Sequence, residues 1–272
     1  MEKIGTHHDE QNTHLHKIIG VAFMIVCVVG MTWMPSNLYA SDFQNKIHTL
    51  SLQIPEVVPA IKTEEATKNS LIMPFISALG YDVFYIKEVV PEYTADVGVK
   101  QGEKVDYAIL RDGIPIMLIE CKSAEMPLNS THINQLMRYF SVTEAKIGIL
   151  TNGIVYQFFS DLEHENRMDP VPFFAIDLRN PEPEQIQELM LFTKDQFDIK
   201  RIRPTAEDLK YTQAIKAILH QELAAPSPSA DFVYFLGKKV YDGRMTKSVQ
   251  ERFSKIVRQA FHEFVEEQKQ KK

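Results

Sequence analysis

Residues 105–122 read VDYAILRDGIPIMLIECK, and the fold follows from how this stretch must turn. Val105 to Leu110 alternates and is rich in branched residues. Asp112-Gly113 is a turn dipeptide, and Ile114 to Ile119 is an apolar run, broken only by Pro115, that ends in charge. Together these predict two antiparallel strands. With the loop centred on Asp112-Gly113, with or without a one-residue bulge, paired positions sum to about 225 or 226. Asp106 then lies opposite residue 119 or 120. Strand side chains alternate faces, so Glu120 and Lys122 share one while Cys121 points the other way.

Two carboxylates and an amine therefore meet at one end of a hairpin. Nearby carboxylates make a hard oxygen site for Mg²⁺, with Mn²⁺ as a substitute, and such an ion can polarise a phosphoryl oxygen and acidify a bound water. An adjacent ammonium can orient that water or offset phosphate charge. An isolated D…E-x-K match is most often a solvated strand end. Here Glu120 closes an apolar run, a costly place for mere surface charge.

The flanking segments extend the pattern. In STHINQLMRYFSV, residues 130–142, Ile133, Leu136, Met137 and Phe140 fall at helical spacing and predict one buried stripe, with Gln135 and Tyr139 four apart as surface neighbours. Residues 146–159, KIGILTNGIVYQFF, predict a second hairpin turning at Asn152-Gly153. Upstream, Thr63-Glu64-Glu65 opens a helix through Ile72, Phe75, Ile76 and Leu79, stopped by Gly80.

With these elements in order, the chain resembles the PD-(D/E)-x-K nucleases, and among them the amino-terminal nuclease domain of the type I restriction endonuclease R subunit. The residues that carry the likeness are Glu64 or Glu65 in TEEATKNSLIMPFISALGYD, Asp106 in VDYAI, Glu120 and Lys122 in IECK, and Gln135 with Tyr139 in QLMRY, over roughly residues 60–162. The resemblance implies an α/β (α+β) fold: a restriction-endonuclease-like core with a central mixed sheet flanked by helices, plus a carboxy-terminal helical region. It further implies that Asp106, Glu120 and the early helix glutamate hold Mg²⁺, that Lys122 serves the attacking water, and that Gln135 and Tyr139 steady the site or touch DNA. Spacing leaves both early glutamates open; Glu64, three before Thr67 as in the family pattern, is preferred. Val105 stands where the family's nominal motif has Pro. An R subunit also carries a helicase motor, yet these 272 residues contain no G-x-x-x-x-G-K-[ST], so no ATP site is expected. Site choice would then rest on DNA structure or on partner restriction or motor subunits.

A content of 44% hydrophobic and 24% charged residues suits one sizeable domain and a smaller one. The expected division is a nuclease domain over 41–178 and a helical region over 179–272. Cys27 and Cys121 have no evident partner, so no disulfide framework is implied, and Cys121 should pack behind the active strand. The net charge of −6 argues against a generally basic nucleic-acid binder. The division is uneven: residues 200–272 hold 15 Lys+Arg against 9 Asp+Glu, leaving 15 against 27 before them. Helical spacing runs through 181–192, 206–223 and 247–268, with breaks at Pro226-Ser227-Pro228-Ser229 and Asp242-Gly243. Lys238, Lys239 and Arg244 are the candidate phosphate contacts of this region, weighed against a plain solvated face.

Ile18 to Trp33 is an unbroken apolar or small run preceded by Lys17. It has the form of a signal peptide, with a cut after Ala40, or of a short membrane anchor. A spurious upstream extension, with initiation near Met34, is the other reading. Residues 1–40 are therefore left out of the expected fold. A cytoplasmic protein is expected, with export or membrane attachment only if residues 18–33 are retained. Two functions of different class stand side by side: a Mg²⁺-dependent DNA endonuclease, and a non-catalytic DNA-binding or assembly module that keeps the nuclease fold. The joint presence of Asp106, Glu120 and Lys122 favours the first.

Overall fold

The structure is a computed structural model that describes residues 36–94, 104–224 and 228–270. The apolar run at 18–33 and the choice of start site lie outside those residues. Helix α1 (Ser36–Val57) leads through a short 3₁₀ turn to α2. Helix α2 is α-helical over Glu64–Thr67, a π-turn over Lys68–Ile72, and α-helical again over Met73–Ala78. Strands β1 (Val89–Thr94), β2 (Lys104–Arg111) and β3 (Ile114–Cys121) follow, then α3 (Ser130–Phe140), β4 (Ile147–Thr151), β5 (Val155–Phe159) and β6 (Phe174–Asp177). The chain ends in α4 (Pro183–Leu189), which runs on into a 3₁₀ turn, α5 (Ile199–Ala224), α6 (Ala230–Val240) and α7 (Lys247–Gln270).

The six strands form one sheet in sequence order, antiparallel except for the parallel pair β3 and β4, which α3 connects. This is the expected mixed sheet flanked by helices, an α/β restriction-endonuclease-like core. Tyr107 pairs with Ile119 and Ala108 with Leu118, a sum of 226; between Ile109 and Leu110 the register shifts, and Arg111 meets Ile114 at 225. Both alternatives read from the sequence thus occur in one hairpin. Asp112 (φ 53°) and Gly113 (φ 81°) make the turn. Pro115 has no N–H for the ladder, which accounts for the irregularity opposite Leu110. Continued by one residue, the register sets Asp106 against Glu120.

Two apolar clusters cover the sheet. One joins Met117, Ile119 and Cys121 to α1 and α2 through Phe43, Ile47, Leu71, Ile72 and Phe75. The other joins Ala108, Leu118 and Leu150 to Leu136, Tyr139 and Phe140 of α3. Full burial of Leu136 and Phe140 contributes about 1.5–3 kcal/mol each, enough to seat α3 on the sheet. Cys121 is fully buried behind the strand, as expected, and burial pushes its thiol pKa up.

Two boundaries and one turn stand out against expectation. Helix α1 spans residue 40, so the division placed there falls inside a helix, and Ala40 packs against the core. The core does not stop at residue 178: Leu189, Phe192, Phe197, Ile202 and Ala206 belong to the first cluster. Polar anchors reinforce this, because Arg203 of α5 donates to the carbonyl of buried Asp161 at 2.8 Å and Lys210 pairs with Asp169 at 2.9 Å. Helical periodicity marks an apolar face but not which layer it covers, so the pattern alone does not show these residues packing on the sheet. The π-turn was also unforeseen. Pro74 lies just beyond it, where its ring would crowd the carbonyl four residues back, and a widened turn, closed by the Met73 N–H on the Lys68 carbonyl, relieves that crowding.

The β4–β5 turn is the tightest point near the carboxylates. Gly153 has φ +79°, and a Cβ there would lie 2.8 Å from Leu71 Cβ and 3.0 Å from Thr67 Cγ2. The Gly153→Ala substitution is therefore expected to cost about 1–2 kcal/mol for the backbone alone and more for the displaced α2. Urea unfolding measures it; a change below ~0.5 kcal/mol would show that α2 is not clamped here.

Candidate active site

Four local devices bring the reactive groups together. The Lys122 N–H donates to the Thr151 carbonyl (2.8 Å), holding the end of β3 on β4. The Ala124 N–H donates to Thr67 Oγ1 (3.0 Å), whose hydroxyl donates to the Thr63 carbonyl (3.1 Å), so the first turn of α2 is fastened beside the strand end. Asn152 accepts from Ile154 and Val155 and donates to the Met126 carbonyl (3.0 Å), fixing the loop after the strand. Asn129 caps α3 by accepting from Thr131 and His132.

Glu120 sits in this frame at 1% exposure. One carboxylate oxygen accepts from Lys122 Nζ at 2.5 Å, while Oε2 is buried with no hydrogen-bond partner. Burial first, then the negative charge of Asp106, lifts its carboxyl to about 7, against the pull of Lys122 and with a further push from Glu64. Burial works against the Lys122 ammonium, but the bond to Glu120 and the surrounding carboxylates outweigh it and hold its pKa above the ordinary value. Asp106 accepts the Cys121 N–H on Oδ2 at 2.7 Å, and its Oδ1 pairs with Lys68 at 2.5 Å.

Lys68 is the residue the sequence reading missed. Its side chain is 10% exposed, and its ammonium lies 2.5 Å from Asp106, 3.0 Å from Glu65 and 3.4 Å from Glu64. Both helix glutamates thus lie against Lys68. Of the two, Glu64 is the less exposed, and its charge is felt by Glu120, Lys122 and His132. The pattern E-E-x-x-K was visible but reads as an ordinary i,i+3 and i,i+4 helix pair; only the fold aims it at Asp106.

Helix α3 supplies the remaining candidates. Gln135 Nε2 donates to Tyr139 Oη at 3.3 Å, so the two are neighbours as expected, but Tyr139 is buried in the α3 cluster rather than on the surface. His132, three before Gln135 on the same face, has a buried Nδ1 without a hydrogen-bond partner. Burial and the Lys122 charge lower its pKa. Its i,i+3 spacing to Gln135 is the signal that could have found it. Lys238 and Lys239 end α6 and Arg244 follows it, on a pair of helices that pack chiefly on each other. Lys238 donates to the Gly243 carbonyl and Lys239 lies over the Phe235 ring; among the described residues no hydrogen bond or ion pair joins these cations to the carboxylates.

Among the described residues no three His, Cys, Asp or Glu side chains converge as a ready metal cage. The donor chemistry nonetheless fits one hard cation: an ionisable buried carboxylate with a free oxygen, opposite a second carboxylate. Asp106 and Glu120, beside Lys122 at the end of a strand in a mixed sheet, are the residues that would hold it. Residues 61–167 match the family model described as the type I restriction enzyme R protein N terminus. The matched stretch takes in α2, β1 to β5 and α3, with every carboxylate and lysine of the site, and resembles the R-subunit amino-terminal domain. No curated protein matches the chain, nor does any solved structure. No helix among the described residues is long and apolar enough to cross a membrane.

Proposed function

We propose that this chain is a Mg²⁺-dependent DNA endonuclease of the type I R-subunit amino-terminal kind. The observation that carries the reading is Glu120 Oε2: a buried carboxylate oxygen without a partner costs stability unless a ligand takes it up. Asp106 and Glu120 would hold the ion, which when bound supplies polarisation of a phosphoryl oxygen and a more acidic water. Lys122, held by Glu120, would orient the attacking water and offset negative charge developing at the phosphate. Tyr139 fixes Gln135, which leaves the Gln135 amide to steady the site or a nucleotide. Plasmid DNA with Mg²⁺, with and without EDTA, tests the reading; failure to nick or linearise it under any divalent ion would overturn it.

A second reading has its own observation. Both oxygens of Asp106 are already engaged, by Lys68 and by the Cys121 N–H, as they would be in a non-catalytic DNA-binding or assembly module. The orphaned Glu120 oxygen is what such a module has no reason to keep.

DNA is the proposed partner in either case, with other restriction subunits as further partners. Because the carboxylate site repels phosphate, the basic carboxy-terminal helices are the proposed duplex contact. Replacing Lys238, Lys239 and Arg244 together by Ala is expected to weaken binding and to flatten the salt dependence, by a slope of up to ~0.9 for each phosphate the variant no longer neutralises. Fluorescence anisotropy across a salt series measures this, and an unchanged slope would make them a solvated face.

A further inference from the structure

Given the proposed metal-dependent reading, on which this inference rests, we propose that Lys68 is a built-in second cation: its ammonium holds the ground between Glu64, Glu65 and Asp106, so the site takes one divalent ion, at Asp106 and Glu120, and not two.

The geometry argues against an ordinary helix ion pair. A surface E-E-x-x-K staple leaves its lysine in water, whereas Lys68 is almost wholly buried and reaches off its own helix to a strand carboxylate at 2.5 Å. Burying an ammonium is costly unless it is paired, and here three carboxylates share it. The backbone is arranged for this, because the π-turn of α2 starts at Lys68. Thr67, one residue earlier, is locked to Ala124 just beyond Lys122, which keeps the backbone of Lys68 beside the end of β3.

Charge leads to the same stoichiometry. Glu64, Glu65, Asp106 and Glu120 sum to −4 when ionised, and Lys68 with Lys122 adds +2, leaving −2. One divalent ion neutralises that remainder; two would leave +2 around the buried Glu120 and Lys122. The oxygens divide likewise. Glu120 Oε2 is free to meet an ion, while the Lys68 ammonium lies against Glu64 and Asp106 alike, so an ion meets Asp106 only in competition with it and a second finds no room.

Calorimetric titration of the whole chain with Mn²⁺ tests the inference independently of cleavage. The wild type is expected to bind one ion per chain. Lys68→Met removes the charge while keeping most of the side-chain bulk, and should bind a second ion or bind the first at least about tenfold more tightly, because Asp106 loses its competing cation. Lys68→Arg should keep one. Two ions in the wild type, or an unchanged stoichiometry and affinity in Lys68→Met, would overturn the inference while leaving the metal reading intact. No binding by either protein would remove both. Should Lys68→Met not fold, Glu64→Gln decides: with Lys68 as its partner, Mn²⁺ affinity stays within about threefold, whereas a loss of roughly tenfold or more makes Glu64 a ligand and overturns the inference.

Discussion

Asp106→Ala and Glu120→Ala are each expected to reduce Mg²⁺-dependent DNA cleavage by at least about 10³-fold, corresponding to roughly 4 kcal/mol of transition-state stabilisation. Neither change should unfold the protein. Asp106 is tied to the frame by one backbone N–H and one ammonium, and Glu120 keeps a free oxygen, so no apolar packing depends on either carboxylate. Lys122→Ala should inactivate to a similar degree, yet leave divalent binding measurable by calorimetry, because in the proposed mechanism its ammonium, bonded to Glu120, serves the water rather than the ion. Plasmid nicking rates together with circular dichroism decide the matter. Near-normal cleavage by either acidic variant would rule out the metal site, and loss of Mn²⁺ binding in Lys122→Ala would make the lysine a structural part of that site.

The second large effect is on stability and depends on pH. Glu120 binds its proton more tightly in the folded protein, at about 7, than in the unfolded chain, near its ordinary value of 4.5. The stabilisation this proton provides is fully present below pH 4.5 and is lost as pH rises through 7. By pH 8, without divalent ions, the ionised carboxylate lowers stability by on the order of 3 kcal/mol relative to acid conditions. Glu120→Gln removes the titration. The stability difference between variant and wild type should thus move by roughly 3 kcal/mol in the variant's favour between pH 4.5 and pH 8. Urea unfolding with EDTA at both pH values measures the movement, and a difference that stays constant would show that burial does not hold Glu120 protonated. Excess Mg²⁺ at pH 8 should then restore the wild type and leave the variant unchanged, since only the wild type offers the ion a carboxylate at this position.

Lys68 and Glu120 show what separates the two kinds of knowledge about this chain. Local patterning sufficed for the hairpin that opposes Asp106 and Glu120, because strand periodicity and the Asp112-Gly113 turn leave only two registers, and the bulge beside Pro115 uses both. It sufficed for the second turn at Asn152-Gly153, for α3 with its buried stripe, and for Cys121 facing away from the carboxylates. Each of these depends on neighbours a few residues apart, where backbone sterics and alternation act. The orphaned state of Glu120 Oε2, the raised carboxyl and the burial of Tyr139 depend on what the rest of the chain lays over them. Lys68 could pair locally with Glu64 and Glu65 in any isolated helix; that it also grips Asp106 is decided by Thr67 bonding to Ala124, a contact across 57 residues. The extent of the core was likewise a tertiary matter, since the apolar faces of α4 and α5 look the same in sequence whether they cover this sheet or a separate unit. Periodicity specifies a face, and only packing specifies its partner.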